Sequence, residues 1–316
     1  MRAPQISIVV VSDFDDGCGS SWHDIRRVLR ALADQQGIEQ AEVLVAETEN
    51  RLRHAPADLL ADLPGARWVT LPEGDAYALK NAAVEAAQAE IVGILDADCE
   101  PAPGWIAAAI ETLRADPKTV AVSGRTLYAD PSLTHRGLAL LGRAYVEAKP
   151  GGETKHISNN SAAFKRSAYL EHPLPTQAGI FASNLQSVPM RRAGYRLRFD
   201  PRMRVTHGFY GWSTERDIRR NLGYGVAATR LVDPSLSHSW IYRLGPIGIP
   251  LAILARSLNS CRFALRSARD FAVRWYELPV VCAMAFACCA MEAPGMLSAI
   301  RGRPIEGTVY QPPAAT

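Results

Sequence analysis

The sequence predicts an α/β protein: a doubly wound, mostly parallel sheet with helices on both faces, followed by a helical extension. Three observations carry this. Short β-branched runs such as Ile6–Val11 (ISIVVV), Val43–Ala46 and Ile91–Leu95 (IVGIL) are continuous rather than alternating. Strands covered on both faces of a parallel sheet read that way. Helical stretches separate these runs, and strand–helix–strand order implies crossover connections. Third, the composition changes from about Asp217 onward. With 316 residues, 48% hydrophobic and 21% charged, the chain has material for a large core. That excludes a disordered chain, a collagen-like fibre and a small disulfide scaffold.

Taken in order, Ile6–Val11 is the first strand, and Ser12–Ser21 is a loop of Asp, Gly and Ser. A helix is predicted from about Trp22 to Gln35, a second strand at Val43–Ala46 and a third at Trp68–Leu71. Ala76–Ala89 is Ala-rich and helical, and Ile91–Leu95 runs directly into Asp96-Ala97-Asp98. Pro101 and Pro103 interrupt before a helix at about Trp105–Ala115, and Val120–Ser123 is another strand. Asn159–Tyr169 reads as a loop entering a short helix, with Asn160 capping the turn before Phe164. Phe199–Val205 reads as a single late strand.

The window Arg219–Trp275 holds nine Arg and no Lys against Asp233 and Asp270. Two uncharged apolar runs flank its basic part, Leu244–Ala255 and Leu278–Met291. As a helix the longer run reaches about 21 Å, against a hydrocarbon core of roughly 30 Å. Both are too short to cross, and shallow insertion with arginines on anionic headgroups is expected. The expected division is 1–215, 216–301 and a poorly ordered tail, 302–316. The formal charge of +3 argues against nucleic acid as a partner. The six cysteines show no metal-ligand spacing and read as buried, reduced thiols in a cytoplasmic compartment.

Two carboxylates one residue apart, at the carboxyl end of a buried strand, are the most informative feature. Ligands of open parallel sheets bind beyond that edge. An Asp-Xaa-Asp there can hold a hard divalent cation that neutralises a diphosphate. On its own, the pattern is as compatible with an exposed acidic turn. Its context is ISIVVVSDFD, EVLVAETEN, the helix with Lys80-Asn81, ILDADCEPAPGW, NNSAAFKRSAYL and RRAGYRLRFDPRMRVTH. Over roughly residues 5–210 this order resembles family-2 glycosyltransferases, which have the GT-A fold with a Rossmann-like sheet.

The resemblance implies an inverting, metal-dependent transfer of sugar from a nucleotide-diphosphate donor, UDP- or GDP-linked, with Mn²⁺ or Mg²⁺. The acceptor would be a lipid or envelope glycan at the cytoplasmic face of a membrane, with the protein peripheral or monotopic. Val11 and Asp13 would border the base, with Glu47 near it where the family usually has Asp. Asn81 would lie under the nucleotide and Lys80 near phosphate. Asp96 would face ribose or metal, Asp98 would ligate the metal, and His207 would return to the metal–diphosphate region.

Inversion needs a carboxylate to take the acceptor proton. The family places it in a Glu-Asp pair about a dozen residues before the Gly of the AGYRL segment. Here those positions are Ala182 and Ser183, with no acid between Glu171 and Asp200. Ser183 is a poor base near pH 7. Glu171 or His172 could deprotonate the acceptor, or the acceptor could already be ionised. The alternative is a catalytically degenerate nucleotide-sugar binder or partner of an active transferase. A nucleotidyltransferase would need a Gly-rich basic phosphate loop after the first strand, where this chain has Asp13, Asp15 and Asp16.

Overall fold

The computed structural model describes residues 3–11, 22–143, 146, 152–158, 160–176, 181–208, 211–232, 234 and 236–303. Among the described residues ten strands are seen: β1 Ile6–Val11, β2 Ala41–Thr48, β3 Ala66–Leu71, β4 Ile91–Asp96, β5 Cys99–Pro101, β6 Thr119–Ser123, β7 Thr126–Tyr128, β8 Ser161–Lys165, β9 Arg196–Phe199 and β10 Val205–His207. The helices of this part are α1 His23–Ala33, α2 Glu49–Leu52, α3 Ala76–Ala86 and α4 Trp105–Ala115. Next comes α5 Leu133–Arg143, then α6 Arg166–Glu171 and α7 Ala182–Arg192. Beyond them lie α8 Trp212–Val232, α9 Ser239–Arg243, α10 Ile249–Ser267, α11 Leu278–Met291 and α12 Ala293–Ile300.

The chain divides into two compact units. The first comprises Met1–Ala129, Val146–Thr176 and Ala182–Gly208. The second comprises Asp130–Tyr145, Gln177–Phe181 and Phe209–Thr316, so α5 belongs with the C-terminal helices. The tail from 304 lies outside the described residues, as does the loop 12–21.

In the first unit a seven-stranded sheet has the order β3-β2-β1-β4-β8-β6-β9. It is parallel except for β8, which runs antiparallel to β4 and β6. The α/β expectation holds. All six side chains of β1 are buried, which is why its sequence lacks alternation. The core joins β1, α1 and α4 through Ile8, Leu29, Leu32, Trp105 and Ile106. Trp105 buries its indole and still satisfies it, donating Nε1–H to Ser161 Oγ at 2.9 Å.

Two readings are corrected. Ser161–Lys165 is a strand, not a loop; its two central alanines gave no apolar alternation to detect. Phe199–Val205 is not one strand. A turn splits it: Asp200 Oδ1 accepts from Arg202 N–H at 2.9 Å, and Met203 N–H donates to Asp200 O at 3.0 Å. The chain before the turn ends in the large sheet, and the chain after it enters a second sheet of order β5-β10-β7. Gly124 is where the turn meets β6–β7: a Cβ there would lie 1.6 Å from Met203 O.

Candidate functional site

The carboxyl ends of the central strands form one edge. Val11 is level with Ala46 on β2 and with Asp96 on β4. Just past that edge the small sheet aligns Cys99 with His207, and His207 with Tyr128. This pairing brings residue 98 beside residue 207, far apart in sequence.

Asp98 Oδ2 stands 3.1 Å from His207 Nε2, and both side chains are largely buried. The other ring nitrogen, Nδ1, meets the carbonyl of Gly208, and the edge of Tyr128 packs on the ring at 5.6 Å. An Nδ1–H donated to that carbonyl turns the Nε2 lone pair toward the carboxylate. Two acceptors that close require a proton or a cation between them. Two ligands about 2.1 Å from one ion and at right angles stand about 3.0 Å apart. The separation therefore fits a bridging divalent ion as it fits a bridging proton.

Cys99 completes the group: the donor atoms of Asp98, Cys99 and His207 all lie within 4.8 Å of one another. Spacing in sequence could not show this, and its only signal was adjacency to Asp98. The thiol is fully buried and donates to Asp98 Oδ1 at 3.3 Å, so it orients the carboxylate.

Asp96 and Lys80 differ from expectation. Lys80 is 1% exposed, and its Nζ lies 2.6 Å from Asp96 Oδ1. The ammonium faces Asp96 rather than open solvent, and Asp96 is taken by Lys80 rather than joined to the metal group. Burial pushes the Asp96 carboxyl above its usual range; Lys80 opposes this, Asp98 adds to it and His207 opposes it.

Glu47 ends β2 at the same edge but is fully buried. Its Oε1 accepts the Thr48 N–H at 2.6 Å, and Oε2 is 3.5 Å from Arg51 Nε, so the carboxylate fastens the start of α2. Val11 lies at the edge with its side chain in the core, and Asp13 is outside the described residues. Asn81 Nδ2 donates to Leu174 O at 2.9 Å, while Oδ1 accepts from Tyr169 OH at 3.0 Å and Leu174 N–H at 3.1 Å. With both ends of the amide engaged, it holds the Tyr169–Leu174 segment.

Ser183 sits in the first turn of α7 and is 8% exposed; this helix contains no acid. Glu171 is engaged at the other end of the sheet. Its Oε2 accepts from Tyr195 OH at 2.8 Å, and Tyr195 precedes β9. Arg196 is level with Thr119 and Phe199 with Ser123, so Tyr195 lies at the amino end, about 10 Å of strand from the carboxyl edge. His172, 3.6 Å from Glu171 and against the Tyr195 ring, shares that location.

A cavity of about 570 Å³ lies elsewhere, lined by Glu111, Asp116, Arg198, Asp200 and Arg202 among others. Arg202 pairs with Asp200 and Glu111, and Arg198 with Asp116, so each of these charged groups has an ionic partner.

Residues 18–172 match the family model of glycosyl transferase family 2. No curated protein matches the chain. Among solved structures, the chain is similar to the mannosyltransferase PcManGT from Pyrobaculum calidifontis in complex with GDP-Man and Mn²⁺. The two are 20% identical with a TM-score of 0.56, over 93% of this chain and 88% of that one. It is also similar to GalNAc-T7 with UDP, GalNAc and Mn²⁺, at 13% identity and a TM-score of 0.54. There the match covers 79% of this chain and 52% of the other. At these identities the likeness shows a shared GT-A fold.

Proposed function

Because the chain belongs to glycosyl transferase family 2 through residues 18–172, we propose that it moves a sugar from a nucleotide-diphosphate donor to a lipid or envelope-glycan acceptor. The observation that carries this reading is the Asp98–His207 pair at 3.1 Å beside the carboxyl ends of β1 and β4. Asp98 and His207 would hold Mn²⁺ or Mg²⁺, which when bound neutralises the departing nucleoside diphosphate. Gly208 and Tyr128 fix the imidazole, and Cys99 fixes the carboxylate. Lys80 cancels the charge of Asp96, so the cation faces one carboxylate in excess rather than two. Val11 and Glu47 shape the edge toward the base of a UDP- or GDP-linked donor. The basic, apolar C-terminal part would keep the enzyme at the cytoplasmic face of a membrane, peripheral or monotopic.

The test is thermal stabilisation of the purified chain by UDP- and GDP-sugars with and without Mn²⁺. Donor at 100 times its dissociation constant adds about 2.7 kcal/mol. Asp98→Ala and His207→Ala should each abolish the Mn²⁺-dependent part, and unchanged affinity in both would overturn the metal assignment. The acid-free α7 favours a second reading, a nucleotide-sugar binder without turnover. Metal-dependent donor binding with neither transfer nor hydrolysis, unrepaired in Ser183→Asp, would select it.

A further inference from the structure

The C-terminal unit buries two ion pairs and exposes two apolar stretches. Its interior holds charge: Arg219 Nε meets Glu215 Oε1 at 2.6 Å, and both residues are buried. Arg256, projecting from α10, makes a two-pronged contact with Glu292 at 2.6 and 3.0 Å, and Glu292 is 1% exposed. Two stretches of its exterior are apolar, while Arg243, Asn259, Arg262, Arg266, Arg269 and Arg274 are exposed around them. Between Leu244 and Leu258 every exposed residue is Leu, Ile or Pro, with Ile247 86% exposed. Between Leu278 and Ile300 every exposed residue is Pro, Val, Ala or Phe.

The Arg256–Glu292 contact changes how the sequence must be measured. Each apolar run ends at one of these charges, which is what kept both runs short of a bilayer. In the fold the two charges neutralise each other, and the apolar stretch continues through Trp275–Ile300. Its 26 residues, a 3-10 turn followed by α11 and α12 with Glu292 between them, are long and apolar enough by length and composition to cross the roughly 30 Å of hydrocarbon. Only 39% of its most apolar window is buried in protein, so it is not the core helix of a water-soluble bundle. Trp275 and Tyr276 stand exposed at one end beside Arg274, with Arg301 and Arg303 exposed at the other. Aromatic and basic residues at the ends of an apolar helix match the two polar margins of a bilayer. Small residues close the interior: a Cβ on Gly223 would lie 2.1 Å from Glu292 O, and one on Gly295 1.8 Å from Arg220 O. Such close helix approach suits packing in lipid.

We propose that residues 249–258 of α10, together with α11 and α12, enter the hydrocarbon layer of a bilayer, the exposed apolar residues against acyl chains, the Arg256–Glu292 pair between the helices, and the exposed Arg262 and Arg266 of α10 at the polar margin. This deepens the membrane part of the functional reading and is independent of the transfer chemistry. The full chain is reconstituted in neutral phosphatidylcholine vesicles and floated after washing with 1 M NaCl and with alkaline carbonate. The expected result is retention through both washes without anionic lipid. Release by salt, or a monodisperse monomer or dimer in detergent-free buffer, would overturn insertion. Leu251→Lys with Leu254→Lys places charge on the exposed face, not in the protein interior. It should lower the carbonate-resistant fraction by about tenfold or more; an unchanged fraction would place that face in water. Donor binding by the same variant in detergent verifies its fold, and failure to bind donor in parent and variant alike would count against the transferase reading alone.

Discussion

Lys80→Met isolates the buried pair around which the donor edge is built. Methionine keeps the length and most of the volume of the side chain, so the charge and its contact are what is lost. Asp96 would remain buried without its cation, with only 9% of its side chain exposed, and Asp98 nearby. At 1% exposure Lys80 lies beyond solvent screening, and removing one partner of such a pair costs about 3–5 kcal/mol. For a unit of this size each kcal/mol lowers the Tm by about 2–4 °C, so a fall of about 6 °C or more is expected. The double variant Lys80→Met with Asp96→Leu removes both charges and should recover most of the loss, because apolar replacement of a whole pair is often neutral. The assay is tryptophan fluorescence during heating, in detergent at neutral pH, for the parent, both single variants and the double variant. A single-variant cost below about 1 kcal/mol, or costs that simply add, would refute the coupled pair. It would return Lys80 to the role of a free phosphate ligand.

Asn81→Ala strands the Leu174 N–H and the Tyr169 hydroxyl; urea unfolding should show a loss of about 2–3 kcal/mol, with donor affinity of the folded protein unchanged. Glu171→Gln should leave transfer or donor hydrolysis within about twofold, since its exposed carboxylate serves Tyr195 at the amino edge; a hundredfold loss would reinstate it as the base. Burial pushes the Asp200 carboxyl up, but hydrogen bonds from Arg202 and Thr112 outweigh this and hold it below the usual range. Its contribution to stability is therefore complete above the unfolded value, about 3.9, and is lost as pH falls through the lower folded value. Urea midpoints between pH 5 and pH 2 should fall less steeply in Asp200→Asn than in the parent, and parallel slopes would contradict this reading.

The large sheet was legible in the sequence because its signals are local. A strand covered on both faces must be apolar throughout, as β1 and β4 are, and helices such as Trp105–Ala115 were placed to the residue. Asp96-Ala97-Asp98 was found because any residue that follows a buried strand stands at its edge. Sequence order also exposed the missing acid at Ala182-Ser183. Contacts distant in sequence could not be read this way. The β5–β10 pairing seats His207 against Asp98 and draws Cys99 into the group, yet neither three-residue strand carries a periodic signal. Lys80 faces Asp96, and Asn81 closes on Leu174, because buried polar groups take partners that only the folded chain supplies. The C-terminal unit shows the same limit: sequence alone counts Arg256 and Glu292 as two interruptions of apolar runs. Tertiary structure sets them 2.6 Å apart, where opposite charges cancel.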